Sequence, residues 1–90
     1  MDPDCKEIRV TGRVQGVGFR YSALTMARNL DLTGYVRNLP DDSVYIIAQG
    51  TAAAVQSLIE WCKSGPPRAA VEKVEFTTHQ VVDFKSFQIR

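Results

Sequence analysis

Cysteine is scarce in this chain: Cys5 and Cys62 are the only two in 90 residues. They form no CxxC pair, and with the single His79 they cannot complete a structural zinc site, which takes four ligands. Both read as reduced, inert thiols, and the sequence leaves a disulfide between them open. Excess charge of either sign is also missing. Lys plus Arg is 11 and Asp plus Glu is 10, a net charge of +1, which argues against a protein that wraps nucleic acid by bulk charge. No apolar run approaches a membrane span, and the opening Met1-Asp2-Pro3-Asp4 is acidic, unlike a signal or transit peptide. The expectation is a cytoplasmic protein with no membrane or nucleic-acid partner. Repeats, linkers and low-complexity tracts are absent as well, so residues 1–90 read as one domain. A chain of this mass should bury roughly 64% of its unfolded surface, enough for one modest core without a metal or disulfide staple.

The pattern that is present alternates between strand and helix periods. In Lys6–Val14, Ile8, Val10, Gly12 and Val14 share one face and Glu7, Arg9, Thr11 and Arg13 the other, the mark of a half-buried strand. Ser22–Leu30 carries Ala23, Leu24, Ala27 and Leu30 at helical spacing. Thr33–Asn38 and Val44–Gln49 read as strands joined by the turn Leu39-Pro40-Asp41-Asp42. The second of these is apolar on both faces, which predicts a central position. Thr51 is placed to cap a second helix, in which Val55, Leu58, Ile59 and Cys62 fall at i, i+3, i+4 and i+7. Gly65-Pro66-Pro67 follows it, then a strand over Ala70–Thr78 with Val74 and Phe76 on one face. Phe87 and Ile89 predict a short last strand. The order β-α-β-β-α-β implies a ferredoxin-like α+β sandwich: an antiparallel sheet, both helices on one face, and a short fifth strand. That fold hosts many functions, so function has to come from a site.

The informative stretch is Gly12-Arg13-Val14-Gln15-Gly16-Val17-Gly18-Phe19-Arg20, between the first strand and the first helix. Gly16 and Gly18 allow the backbone to curl so that successive N–H groups converge on an anion, and a helix N-terminus adds its unpaired donors. Arg20 offers a planar fork matched to two phosphate oxygens. The residues alone leave two readings, a phosphate site or a tight turn followed by a solvated arginine. Familiar phosphate loops are excluded. A Walker A loop would need Gly-Lys-[Ser/Thr] where Gly18-Phe19-Arg20 stands, and the dinucleotide fingerprint would need a glycine at Tyr21. A cysteine phosphatase would need a thiol at Val14, so no covalent phospho-enzyme is expected in the loop.

Other catalytic arrangements are poorly supplied. His79 lies in a polar stretch and reads as a solvated surface residue, Asp41-Asp42 as a turn, and Asp2 and Asp4 as a mobile terminus. Trp61 and Tyr35 read as core or cover. Asn38, before a proline-containing turn, is either a turn residue or an amide that holds a water without titrating.

Val10–Arg20 resembles the first signature of the acylphosphatases, and Gly34-Tyr35-Val36-Arg37-Asn38, with Val44 and Gly50 after it, resembles the second. Gly65-Pro66 and the closing Phe87-Gln88-Ile89-Arg90 also fit, so the resemblance runs from about Lys6 to Arg90. It implies hydrolysis of a small acyl phosphate to a carboxylate and inorganic phosphate by a monomeric, cofactor-free and metal-free cytoplasmic enzyme. Phosphate would be both product and inhibitor. Carried over by position, Arg20 and the amides of Gln15, Gly16, Val17, Gly18 and Phe19 would hold the phosphoryl group, and Asn38 would orient the attacking water. The family pattern usually has glycine where this chain has Asp31 and Asp42, which implies a positive φ at both.

Two other classes compete. One is a silent binding module of the kind found in larger hydrogenase-maturation proteins. The chain's end at Arg90, without zinc-finger or nucleotide-binding extension, and the presence of both Arg20 and Asn38 favour the free-standing enzyme. The other is RNA binding on the sheet face, which would want aromatics where the first strand offers Ile8 and Val10 and the third only Tyr45.

Overall fold

The opening alternation forms β1 (Asp4–Arg13), with Ile8 and Val10 fully buried on one face. The structure is a computed structural model that describes residues 2–90. After β1 come α1 (Phe19–Asn29), β2 (Thr33–Asn38), β3 (Val44–Gly50), α2 (Ala52–Cys62), β4 (Ala70–Thr78) and β5 (Phe87–Ile89). The sheet order is β4-β1-β3-β2-β5, with β3 at the centre as its two apolar faces require. β1 to β4 pair antiparallel, whereas β5 joins the edge of β2 in parallel. The sheet is therefore mixed rather than wholly antiparallel. A three-residue strand carries no direction in its sequence; its sense is set by where the chain arrives from.

Both helices lie on one face, the ferredoxin-like arrangement. Ile8, Val10, Val36, Val44, Ile46 and Ala48 of the sheet meet Phe19, Ala23 and Ala27 of α1 and the Val55-Leu58-Ile59-Cys62 stripe of α2 in one core. Thr51 caps α2, its hydroxyl accepting from Ala54 N at 3.1 Å. α1 begins at Phe19, three residues before the expected start at Ser22. Gly18, at φ 82° and ψ 16°, swings the chain into the helix with no side-chain cap, so no residue announces the start.

Two other expectations need correcting. Asp4 is no mobile terminus: it pairs with Gly50 in the ladder and lies 3.4 Å from Lys6 Nζ. His79 is half-buried, its backbone N donating to Cys5 O at 2.9 Å and its Nδ1 to Gln80 O at 2.7 Å. Val74 and Phe76 share a face as expected, opposite Val10 and Ile8, although at the sheet edge Phe76 stays 46% exposed.

The sheet also separates the cysteines. Cys62 belongs to the helix-side core, while Cys5 alternates with Ile8 and Val10 and faces the other way. Both are free and buried, and burial raises both thiols, that of Cys62 to about 12. From β4 at one edge the chain must cross to β5 at the other, and residues 79–86 do so over the helix-free face. Gln49 clamps this strap through its amide, donating to Val82 O at 2.8 Å and accepting from Val82 N at 2.9 Å. No helix among the described residues is long and apolar enough to cross a membrane.

Candidate active site

The loop between β1 and α1 starts from a bulge. Pairing of β1 with β4 slips between Thr11 and Gly12, where Gly12 sits at φ 120° against the Ala70–Glu72 backbone, too close for any side chain. The strand thereby turns towards the end of the sheet that carries Asn38. Val14 and Val17 then bury their side chains in the core and anchor the loop from below. Gly16 and Gly18 hold φ 74° and 82°, angles that L side chains resist. A Cβ on either would meet nothing within 4 Å, so the angle is the constraint, and the space above the loop stays open.

The donors of this turn are free. The first helical bond of α1 runs from Ser22 N to Gly18 O at 3.0 Å. Among the described residues, the backbone N–H groups of Gln15 to Tyr21 donate to no protein acceptor. The first turn of α1 holds no acidic side chain, so the positive end of the helix is left without an internal counter-charge. Arg20 is exposed and within ion-pair distance of no carboxylate among the described residues.

These groups open on one cavity of about 220 Å³, lined by Val14, Gly16, Gly18, Arg20, Tyr21, Asn38 and Ile89. Asn38 reaches it as the last residue of β2, opposite Val44 of β3. Its Oδ1 is buried and accepts no hydrogen bond from the protein. Such an atom carries a desolvation cost of roughly 1–3 kcal/mol until a donor meets it.

The sequence assigned Gln15 only a backbone role, and the structure adds a side-chain one. Its Nε2 donates to Leu39 O and Ser43 O, both at 2.9 Å. Both amide hydrogens thus tie the glycine loop to the β2–β3 turn that follows Asn38. The turn is braced from within as well: Asp41 Oδ1 accepts from Ser43 N and Ser43 Oγ, which hold its carboxyl below the usual range. A Gln at this position is ordinary for a loop, so only contacts across 24 and 28 residues reveal the brace.

Of the residues singled out in the sequence, Gly16, Gly18, Arg20 and Asn38 share the cavity, Gln15 braces it, and the side chains of Val17 and Phe19 face the core. Tyr21 and Ile89 line it without having been foreseen. No carboxylate, imidazole or thiol is among its lining residues. A larger depression of about 260 Å³ on the helix-free face is lined by Glu7, Arg9, Tyr45, Glu75 and Thr77 among others. There the carboxylate of Glu7 already accepts from Tyr45 Oη at 2.7 Å and Thr77 Oγ1 at 3.0 Å, which hold it below its ordinary range.

Known proteins resemble the chain over nearly its whole length. Residues 6–89 match the family model described as Acylphosphatase. An acylphosphatase of Acaryochloris marina is 46% identical over 85 residues, covering 94% of this chain and 91% of that one. The solved structure of an acylphosphatase from Coxiella burnetii superposes with a TM-score of 0.95 at 39% identity, covering 99% and 94% of the two chains. Full-length HypF in its phosphate- and nucleotide-bound form superposes with a TM-score of 0.88 at 26% identity, over 99% of this chain but 12% of HypF.

Proposed function

This chain belongs to the acylphosphatase family, hydrolases that act on acid anhydrides, and from that premise we propose a division of labour among its residues. The loop amides of residues 15–19 and the guanidinium of Arg20 hold the phosphoryl group of an acyl phosphate, and Asn38 holds the attacking water. The observation that carries this is the shared cavity, lined by Asn38 together with Arg20 and the two loop glycines, with the buried Asn38 Oδ1 met by no protein donor. An amide acceptor orients water by accepting a hydrogen bond from it, which leaves an oxygen lone pair for phosphorus.

The chemistry asks for no more than these groups provide. The water oxygen attacks phosphorus, the bond from phosphorus to the acyl oxygen breaks, and its electron pair leaves on the carboxylate. The water's proton passes to a phosphoryl oxygen, so an acyl phosphate and water become a carboxylate and dihydrogen phosphate. A carboxylate leaves without protonation, which removes the need for a general acid. Charge on the equatorial oxygens is met by amides fixed before the substrate arrives, the arrangement that lowers a phosphoryl-transfer barrier most. The lining holds no carboxylate, imidazole or thiol to anchor a divalent metal, which supports a metal-free reaction.

The test is release of phosphate from acetyl phosphate by the purified chain in EDTA, beside p-nitrophenyl phosphate. Hydrolysis of the acyl phosphate alone, unaffected by chelator and competitively inhibited by inorganic phosphate, is the expected result. Phosphate binding without turnover would make the domain a binding module. Activity lost to EDTA and restored by Mg²⁺ or Zn²⁺ would overturn the metal-free route.

A further inference from the structure

Four large hydrophobic side chains are exposed among the described residues: Tyr21, Phe76, Val81 and Ile89. Two of them, Tyr21 at 68% and Ile89 at 40%, line the cavity that holds Arg20 and Asn38. They come from separate elements. Tyr21 stands in the first turn of α1, and Ile89 ends β5, opposite Val36. Ile89 shares its face of β5 with the core residue Phe87, and Arg90 N donates to Val36 O at 2.8 Å, which pins the strand behind it. Neither side chain belongs to the core cluster or to the hydrophobics packed against it, and both present mainly apolar surface.

We infer that Tyr21 and Ile89 form an apolar wall for the acyl part of the substrate, selecting acyl phosphates with an aromatic or comparable hydrocarbon group. This rests on the proposed phosphate site: once the phosphoryl group occupies the loop, the acyl group extends to the mouth, where these side chains stand. The only charge in the lining is that of Arg20, which the phosphoryl group consumes. Nothing beyond Arg20 and Asn38 offers a polar side chain to the acyl group except the Tyr21 hydroxyl. An aromatic acyl group has far more apolar surface to lay against these side chains than an acetyl group has. A cavity of about 220 Å³ is smaller than the roughly 300–1,000 Å³ of drug-sized sites, which keeps the class to small acyl groups.

Binding and turnover are measured together, so that the wall and the reaction can fail separately. Methylphosphonate and benzylphosphonate carry a phosphate-like head on a small or an aromatic group and cannot be hydrolysed. Calorimetry should show benzylphosphonate binding about tenfold tighter. In the double variant Tyr21→Ser, Ile89→Ser the two ligands should come within about twofold, with inorganic phosphate bound as before. Tyr21→Phe should keep the preference. In turnover, kcat/KM for benzoyl phosphate should exceed that for acetyl phosphate and fall in the double variant mainly through KM. Equal binding of the two phosphonates to the unsubstituted protein, or a preference that survives the double substitution, overturns the wall. Absence of turnover with both acyl phosphates defeats the proposed reaction, while the phosphonates still decide the wall.

Discussion

The two ends of α1 use the same left-handed turn for opposite purposes. At the N-terminus Gly18, at φ 82°, leads into a first turn with no capping side chain, no acidic neighbour and a row of unpaired N–H groups. At the C-terminus Asp31, at φ 57°, closes a Schellman motif: Leu32 N donates to Ala27 O at 2.9 Å and Asp31 N to Arg28 O at 3.1 Å. Leu32 is buried behind it, and Arg28 Nη2 donates to Phe87 O at 3.2 Å. One end is finished by the protein, and the other is left open. A free helix N-terminus in water is a stability cost; beside Arg20 and Asn38, the same unpaired donors are what the proposed phosphate site draws on.

The comparison breaks most visibly if the open end loses its charge. Arg20→Ala should lower kcat/KM by about 10³-fold or more and weaken competitive inhibition by phosphate, in a protein that unfolds as before. Arg20→Lys should recover little, since a point charge cannot replace a planar fork. A folded Arg20→Ala protein with near-normal rates would return the loop to a plain strand-to-helix turn. Next in size is Asn38→Ala, expected to reduce kcat by about 10²-fold while phosphate inhibits as before. Should phosphate affinity fall while kcat stands, Asn38 would be a phosphate ligand instead.

How much of this could be read from the sequence follows from the range of each interaction. The Ile8–Val10 alternation, the Val55–Cys62 stripe and the Thr51 cap are local patterns, and each element appears where they place it. The positive φ of Asp31 and Asp42 was legible only through family resemblance, since Asp at either position says nothing by itself. Long-range pairings left no trace: the Gln49 clamp on Val82 spans 33 residues, and the Gln15 brace spans 24 and 28. The unforeseen cavity residues follow the same rule, because Ile89 reaches Arg20's cavity only through the parallel docking of β5. Gln15 supplies the third prediction. Gln15→Ala should cut kcat by about tenfold with phosphate inhibition unchanged, through a loosened Asn38 turn. Gln15→Glu, which cannot donate to two carbonyls, should rescue nothing. Equal losses in kcat and phosphate affinity would mean that the side chain serves the loop and not the turn.

The smallest effect belongs to the closed end. Asp31 holds a left-handed angle that a non-glycine residue adopts at a cost of about 1 kcal/mol, and its carboxylate stands where the helix dipole disfavours negative charge. Asp31→Gly relieves both, against the larger entropy of an unfolded chain with one more glycine. The net should be a gain below about 1 kcal/mol, a rise in melting temperature of a few degrees for a domain of this size. Asp31→Asn separates the parts: it tolerates the same angle, removes only the charge, and should stabilise less than glycine does. Asp42, at φ 73° in the β2–β3 turn, has no helix end beside it, so Asp42→Gly should gain from the backbone alone. None of the three should move kcat, because neither aspartate lines the cavity. Denaturant midpoints measured beside steady-state rates decide the matter. A less stable Asp31→Gly protein would mean that the carboxylate holds the helix end together, and an altered rate would mean that the two ends of α1 are not independent.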